Sequence, residues 1–518
     1  MIIENYYLCA NFSIIMLIIL TILAYFCTLF AFSRLAGGRS DNDTFFRGNR
    51  QSPWWMVAFG MVGASISGVT FVSVPGMVLK SDMTYMQMCL GFILGYFAVA
   101  FLLLPLYYRL QLTTIYSYLE QRLGSRSYKT GASFFLLSKM TGAAVRFYLV
   151  CLILHEFVVE PMASSSQELS FFNYQLSIVN CQLSVSFPLT AVVMVGLIWL
   201  YTRRGGIRTL VWTDTLQTMC MFAALLLIIY NVMGQLDMSV GEAFDAVMAD
   251  SRSRMFVFDD WVSRQNFWKQ FLSGVFVVIV MTGLDQDMMQ KNLTCKNLHD
   301  ARKDMCTYGL AFAPANLLFM CLGVLLVLLA QKQGVALPDA PDQLLPMFVE
   351  GKMSIVNTPL SIVFTLGIVA ASFSSADSAL TAMTTCFCVD IMGRKDDERL
   401  RKRVHMFMAL VFVAFILLFR ILNSDSVIDA IYIMCSYTYG PLLGLFAFGL
   451  LTKKKTNDRY VPYIAVASPL ICFALDQFVS QQFGYKFGYE LLMLNGLITF
   501  VGIALLREPP CSRCQPPR

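Results

Sequence analysis

Residues 52–76 open as Ser52-Pro53-Trp54-Trp55, pass through Gly60, Gly63-Ala64-Ser65-Ile66-Ser67-Gly68-Val69-Thr70, and close at Pro75-Gly76. The stretch is long and apolar enough to cross a bilayer, yet its middle is a cluster of glycines and hydroxyls that a plain lipid-facing helix would not carry. Two readings fit that cluster. Small residues let helix backbones approach closely. Alternatively, the middle is unwound at the membrane midplane, where freed carbonyls and half-helix ends hold ions and solute. A matching irregularity, Thr282-Gly283-Leu284-Asp285-Gln286-Asp287, lies near one end of a later apolar run.

The surrounding composition is that of a membrane protein. Of 518 residues, 57% are hydrophobic and 14% charged, with a mean hydropathy of +0.62, whereas soluble domains carry about 25% charged residues. A bilayer core needs roughly 20 apolar residues per helical span. Thirteen runs approach that length, at 12–33, 53–79, 83–108, 130–155, 187–202, 209–234, 270–290, 305–330, 356–391, 404–422, 426–451, 460–480 and 487–506. They predict an all-α integral membrane protein, with the long ninth run ending in a cytoplasmic extension. The net charge of +6 is too small and scattered to point to nucleic acid. Most of the 15 cysteines sit singly in apolar runs, as Cys89, Cys220 and Cys321 do, where a thiol behaves as a small hydrophobe. Cys511 and Cys514 form a lone CxxC without a second pair and read as incidental.

Basic residues distribute unevenly between alternate loops, 28 on one side and 9 on the other, with Lys139 and Arg146 inside a span. The positive-inside rule then puts the N-terminus outside and the C-terminus in the cytoplasm. Residues 1–11 lack Lys and Arg, so the first run reads as a retained span and not a signal peptide. The tail after the last span is too short for an appended signalling, nucleotide-binding or enzyme domain.

If the two irregular stretches open equivalent units, 53–234 and 267–451 are five-helix repeats of 182 and 185 residues. Residues 1–52 supply a first span and loop, 235–266 an extracellular loop, and 452–518 two extra spans and a short tail. An odd helix number forces the repeats into opposite orientation. Inverted repeats that both begin with an interrupted helix are the pattern of secondary transporters with a midplane site.

Several motifs carry a more specific likeness: Gly205-Gly206-Ile207 through Val211-Trp212-Thr213-Asp214; Gly283 with Gln286 and Gln290; Ala370-Ala371-Ser372-Phe373-Ser374-Ser375 through Cys388-Val389-Asp390-Ile391; and the loop Ile115 to Arg122. In order and spacing the chain, from about residue 45 to 450, resembles the sodium/solute symporter family, which includes sodium-coupled sugar, proline, iodide, monocarboxylate and sialic acid carriers. That resemblance implies the LeuT-type fold, ten core helices plus extra ones, with Na+ as coupling ion, no other cofactor and no chemistry performed. It further implies a sodium site made by the backbone carbonyls of Gly63, Ile66 and Ala371 with the hydroxyls of Ser374 and Ser375. Ser65, Ser67 and Thr70 would face the solute, with Gln87 on the third span.

Asp377 departs from the small neutral residue that many members have there. Either Asp214, Asp377 and Ser378 form a second cation site, or Asp377 is protonated or paired with Arg146 or Lys139. Arg146, beside Phe147 and Tyr148, carries a similar choice. Its planar fork suits a solute carboxylate, but internal pairing with Asp377 or Asp214 would leave a neutral sugar as cargo. The expected function is sodium-driven import of a small polar organic solute (sugar, sugar acid or other carboxylate) by alternating access across a bacterial inner membrane. The partners expected are that solute, Na+ and the bilayer. A proton-coupled or amino-acid-type permease of the same fold is the nearest rival. A solute sensor would need a signalling domain. A polytopic enzyme would need a convergent catalytic set, whereas His155, His299 and His405 are scattered at span ends and read as interfacial.

Overall fold

Small residues and prolines decide where the apolar runs bend. The computed structural model describes residues 2–36, 42–155, 175–178, 181–184, 186–349, 358–422, 427–485 and 487–506; Cys511 and Cys514 lie outside them. Helix α1 (Ile2–Ala36) precedes a broken pair, α2a (Trp54–Ser65) and α2b (Gly68–Ser81), bent by 59°. Helices α3 (Tyr85–Arg109) and α4 (Ser125–Leu154) follow. Helices α5 (Phe187–Arg203) and α6 (Gly206–Leu236) meet at Gly206, whose φ of 51° and ψ of −137° turn the chain in a region that glycine tolerates. A second broken pair, α7a (Phe267–Gly283) and α7b (Gln286–Asn292), is bent by 68°. Helix α8 (Leu298–Gln333) is followed by α9 (Thr358–Cys386, prolonged by the π-turn Phe387–Ile391) and α10 (Glu398–Leu422). A third pair, α11a (Val427–Thr438) and α11b (Gly440–Leu451), bends by 44° before α12 (Val461–Phe483) and α13 (Leu491–Leu505).

These helices match the apolar runs one for one. Units α2–α6 and α7–α11 each open with a broken helix. Between α4 and α5 lies a small antiparallel hairpin, β1 (Gln175–Ile178) with β2 (Cys181–Ser184), in register Gln175 to Ser184. In the α6–α7 loop, Ser239 and Glu242 form a capping box that starts the helix Val240–Ala249. The Ser239 backbone N–H holds the Glu242 carboxyl below its usual range.

At the first break Ile66 (ψ 79°) and Ser67 (ψ 173°) leave helical geometry. At the second, the freed carbonyls of Gly283 and Leu284 accept hydrogen bonds from the hydroxyls of Tyr107 and Tyr116, each at 2.9 Å. Asp285 caps α7b by accepting from the Asp287 N–H at 2.8 Å. An unwound segment inside a membrane protein survives only where such partners replace its lost helix bonds.

Glycines bring some of these helices into backbone contact. A Cβ on Gly91 of α3 would lie 2.1 Å from the Phe271 carbonyl oxygen of α7a, and one on Gly274 of α7a would lie 2.3 Å from that of Met88. On α8, Gly323 stands against α2b, where a Cβ would meet the Pro75 carbonyl oxygen at 2.1 Å. The outer faces are apolar, with Leu94, Phe101 and Leu102 of α3, Leu226, Leu227 and Tyr230 of α6, and Tyr463, Val466 and Leu470 of α12 all exposed. So broad an apolar belt is a liability in water and the expected surface in hydrocarbon.

The end of α9 packs on the segment that follows α3, where the buried Asp390 accepts from Tyr128 Oη at 2.8 Å and from the Thr114 hydroxyl. One expectation changes, because His405 is not interfacial. It is buried between Thr202 and Thr384, at 2.9 Å from each hydroxyl, and ties α5 to α9.

Candidate functional site

Residues of both principal breaks line a cavity of about 80 Å³ that is walled by α2, α3, α4, α7, α8 and α11. Six aromatic rings line it, those of Phe92, Tyr96, Tyr308, Phe312, Tyr432 and Tyr439. A hydroxyl relay runs along one side, where Tyr96 donates to Tyr308 at 2.7 Å and Tyr308 meets the Ser65 hydroxyl at the α2 break. Such an apolar wall with a few aimed polar groups is the usual build of a small-molecule site.

Three charged residues line the cavity, Lys139, Arg146 and Asp285. The Lys139 Nζ stands 2.7 Å from Asp287 Oδ2 and 3.2 Å from Asp285 Oδ2, and Asp285 also accepts from Tyr439 Oη at 2.6 Å. Lys139 is therefore neutralised from within. Arg146 is half-buried and makes no ion pair with a carboxylate among the described residues. The internal partners considered from sequence are engaged elsewhere. Asp214 Oδ2 lies 2.8 Å from Lys291 Nζ. Asp377 accepts from Tyr201 Oη at 2.5 Å and from Ser378 Oγ at 3.2 Å. Neither Arg146 nor Lys139 pairs with Asp377.

Of the other residues expected to face solute, Ser65 lines the cavity, whereas Ser67 and Thr70 are buried beside the break and outside its wall. Gln87 has a different task. Its Nε2 donates to the Gln265 carbonyl at 2.8 Å and the Thr84 carbonyl at 3.2 Å, while its Oε1 accepts from the Val257 N–H at 3.0 Å. That amide is spent on pinning the α6–α7 loop to the start of α3.

Beside the cavity, α9 meets the α2 break. A helix end leaves carbonyls without N–H partners, and one of them, that of Ala64, accepts from Ser375 Oγ at 2.9 Å. Ser374 Oγ donates to Asp214 Oδ1 at 2.7 Å. Contact here is close, since a Cβ on Gly68 would fall 2.0 Å from Ser372 Oγ. Ala371, Ser374 and Ser375 are all buried. The break thus gathers main-chain and hydroxyl oxygens at one place, a donor set suited to a hard monovalent cation.

The sequence profile of the Sodium:solute symporter family matches residues 45–149 and 177–459. The chain belongs to that family. It is 24% identical over 444 residues to the sodium/sialic acid symporter of Proteus mirabilis, covering 82% of each chain, and 25% identical over 432 residues to that of Aliivibrio fischeri, covering 80% and 78%. The human sodium/iodide cotransporter is 22% identical over 80% of this chain and 62% of its own. A solved substrate-bound, outward-open Na+-coupled sialic acid symporter superposes with a TM-score of 0.75 at 20% identity, covering 96% of this chain and 97% of that one. A nucleobase-cation-symport-1 family transporter does so with a TM-score of 0.54 at 14% identity, over 90% and 94%. The fold is accordingly the LeuT-type inverted repeat of five plus five helices with extra spans. The symporter is a multi-pass membrane protein that couples transport of a solute to Na+, and is not an enzyme.

Sequence reasoning did not assign Lys291, Asp285 or Asp287 to this symporter's core. A signal existed for the aspartates, which sit in the irregular stretch 282–287. Lys291 falls one residue beyond the apolar run 270–290 and so counts among the 28 loop cations by sequence, yet it is buried.

Proposed function

We propose that this symporter imports a small organic anion, with a carboxylate of the solute meeting Arg146 and one Na+ held by the carbonyls of Gly63, Ile66 and Ala371 and the hydroxyls of Ser374 and Ser375. The observation that carries the reading is the charge count of the cavity wall. Lys139 is matched by Asp285 and Asp287, and Arg146 is the cavity cation left without a carboxylate among the described residues. A guanidinium in a membrane is costly unless it meets an anion or lines a wet cavity. The Ser65, Tyr96 and Tyr308 hydroxyls would serve the hydroxyls of a sugar acid, the solute type named for two relatives. The 28 to 9 split of basic residues supports an N-terminus outside and a C-terminus in the cytoplasm of a bacterial inner membrane. Burial of Lys291 and Arg401 removes two of the 28 without changing the sign.

The test is uptake of labelled N-acetylneuraminate, gluconate, lactate and glucose into proteoliposomes under an inward sodium gradient, with choline as the control cation. An acidic solute should be taken up in sodium only. Arg146→Lys keeps the charge but loses the fork, and a charge-assisted hydrogen bond is worth about 1.5–3 kcal/mol. The half-saturating solute concentration should rise about ten- to hundredfold, with sodium binding retained. Uptake of glucose alone, or unchanged affinity for the acid in Arg146→Lys, would overturn the reading.

A further inference from the structure

The oxygen set formed by Asp214, Asp377 and Ser378 already has a cation against it. Lys291 projects from α7b, is fully buried, and holds its Nζ 2.8 Å from Asp214 Oδ2 and 4.0 Å from Asp287 Oδ1. The second oxygen of Asp214 is taken by Ser374 Oγ at 2.7 Å. Both oxygens of Asp377 are engaged too, by Tyr201 and Ser378. An ammonium and a sodium ion carry the same charge, and two like charges sharing one buried carboxylate repel strongly because the interior screens them poorly. Lys291 also belongs to a continuous chain of alternating charge. It runs from Lys139 in the cavity wall through Asp287 to Lys291, then to Asp214 and the hydroxyl of Ser374.

We infer that the Lys291 ammonium is this symporter's built-in second cation: it occupies Asp214 in place of a mobile ion and leaves one sodium, at Ser374 and Ser375, bound per cycle. The inference rests on the sodium site proposed above. It fixes what that site alone leaves open, the number of ions coupled. With a monovalent organic anion as cargo, one sodium per cycle moves no net charge. Accumulation would then follow the sodium ratio alone, about tenfold for a tenfold gradient, and the membrane potential would neither help nor hinder it.

The experiment counts ions without needing the solute. Radioactive sodium binding to the purified full chain in detergent gives a stoichiometry and a Hill coefficient. Sodium-dependent thermal stabilisation gives a second reading of the same sites. Wild type should bind one ion per chain with a Hill coefficient of one. Lys291→Ala uncovers the Asp214 carboxylate and should bind two, with the coefficient rising towards two, and Lys291→Ala combined with Asp214→Asn should return to one. Lys291→Arg keeps the tethered charge and should bind one. If Lys291→Ala folds only in high sodium, the ion is filling the space of the ammonium, which supports the inference. Two ions bound to wild type, or one bound to well-folded Lys291→Ala, would overturn it with the sodium site intact. No ion bound to wild type would overturn the Ser374–Ser375 site itself and this inference with it.

Discussion

Lys139→Ala should destabilise the protein through one carboxylate in particular. The Lys139 side chain is 7% exposed and faces Asp285 and Asp287, at 2% and 3%, across 3.2 and 2.7 Å. Deleting one member of a buried ion pair costs about 3–5 kcal/mol because the survivor stays charged and dry. The two survivors are not alike. Asp285 keeps the hydroxyl of Tyr439 at 2.6 Å and the N–H of Asp287 at 2.8 Å. Among the described residues Asp287 keeps only Lys291, at 4.0 Å. Asp287 is therefore the stranded charge, and Lys139→Ala with Asp287→Asn should recover most of the loss, whereas Lys139→Ala with Asp285→Asn should not. Large membrane proteins unfold irreversibly, so the measure is the half-life of folded, monodisperse protein at fixed temperature in detergent, followed by fluorescence size-exclusion. If the pair is broken in the rate-limiting step, 3 kcal/mol shortens that half-life by about two orders of magnitude. A half-life within about twofold of wild type for Lys139→Ala, or equal behaviour of the two double variants, would refute this account of the α7 break.

Ser374→Ala and Ser375→Ala each remove one proposed sodium oxygen, a contact of about 1–1.5 kcal/mol, and should raise the half-activating sodium concentration about five- to tenfold; unchanged sodium dependence at normal expression would remove both from the site. Gly274→Ala puts a methyl 2.3 Å from the Met88 carbonyl oxygen, and overpacking of this kind costs about 1–3 kcal/mol. It should lower the melting midpoint in detergent, while Gly234→Ala, where a Cβ meets nothing within 4 Å, should not. A fluorescent reporter that matures only in the cytoplasm should glow when fused after Arg518 and stay dark after Lys332; the reverse pattern would invert the topology.

What the sequence revealed and what it hid follow from the range of the interactions. The breaks in α2 and α7 were legible because small residues and a local aspartate cap are sequence-local causes of a local bend. Span positions were legible because bilayer thickness sets a length that no tertiary contact needs to supply. Lys291 was illegible for the opposite reason. Beside Asn292 and Thr294, just ahead of a polar turn, it looks like any loop cation, and only the 68° bend at Leu284 swings α7b inward to Asp214. Gln87 misled in the other direction. An amide within an apolar run looked like a solute ligand, yet the unpaired main chain of the long α6–α7 loop claimed it. Arg146 could be placed on its helix but not assigned, because its freedom depends on partners elsewhere having taken Asp214 and Asp377.

The glycine contacts bear on how such a molecule moves. Where α3 meets α7a and α8 meets α2b, main chain lies on main chain, with no side chain between to change rotamer. Surfaces of that kind neither shear nor compress, because any sliding drives a carbonyl oxygen into a backbone atom. The tightest glycine contacts of α2 with α6 and α9 are made differently: Gly63 faces the side chain of Thr218, and Gly68 the hydroxyl of Ser372, groups that can rotate aside. Rearrangement between the two faces of the membrane therefore has a preferred fault line. Helices α3 and α7a form one welded pair, and α8 and α2b a second. The give is concentrated along α6 and α9, the seam where the sodium oxygens and Lys291 sit, so that whatever fills that seam also sets how freely it can open.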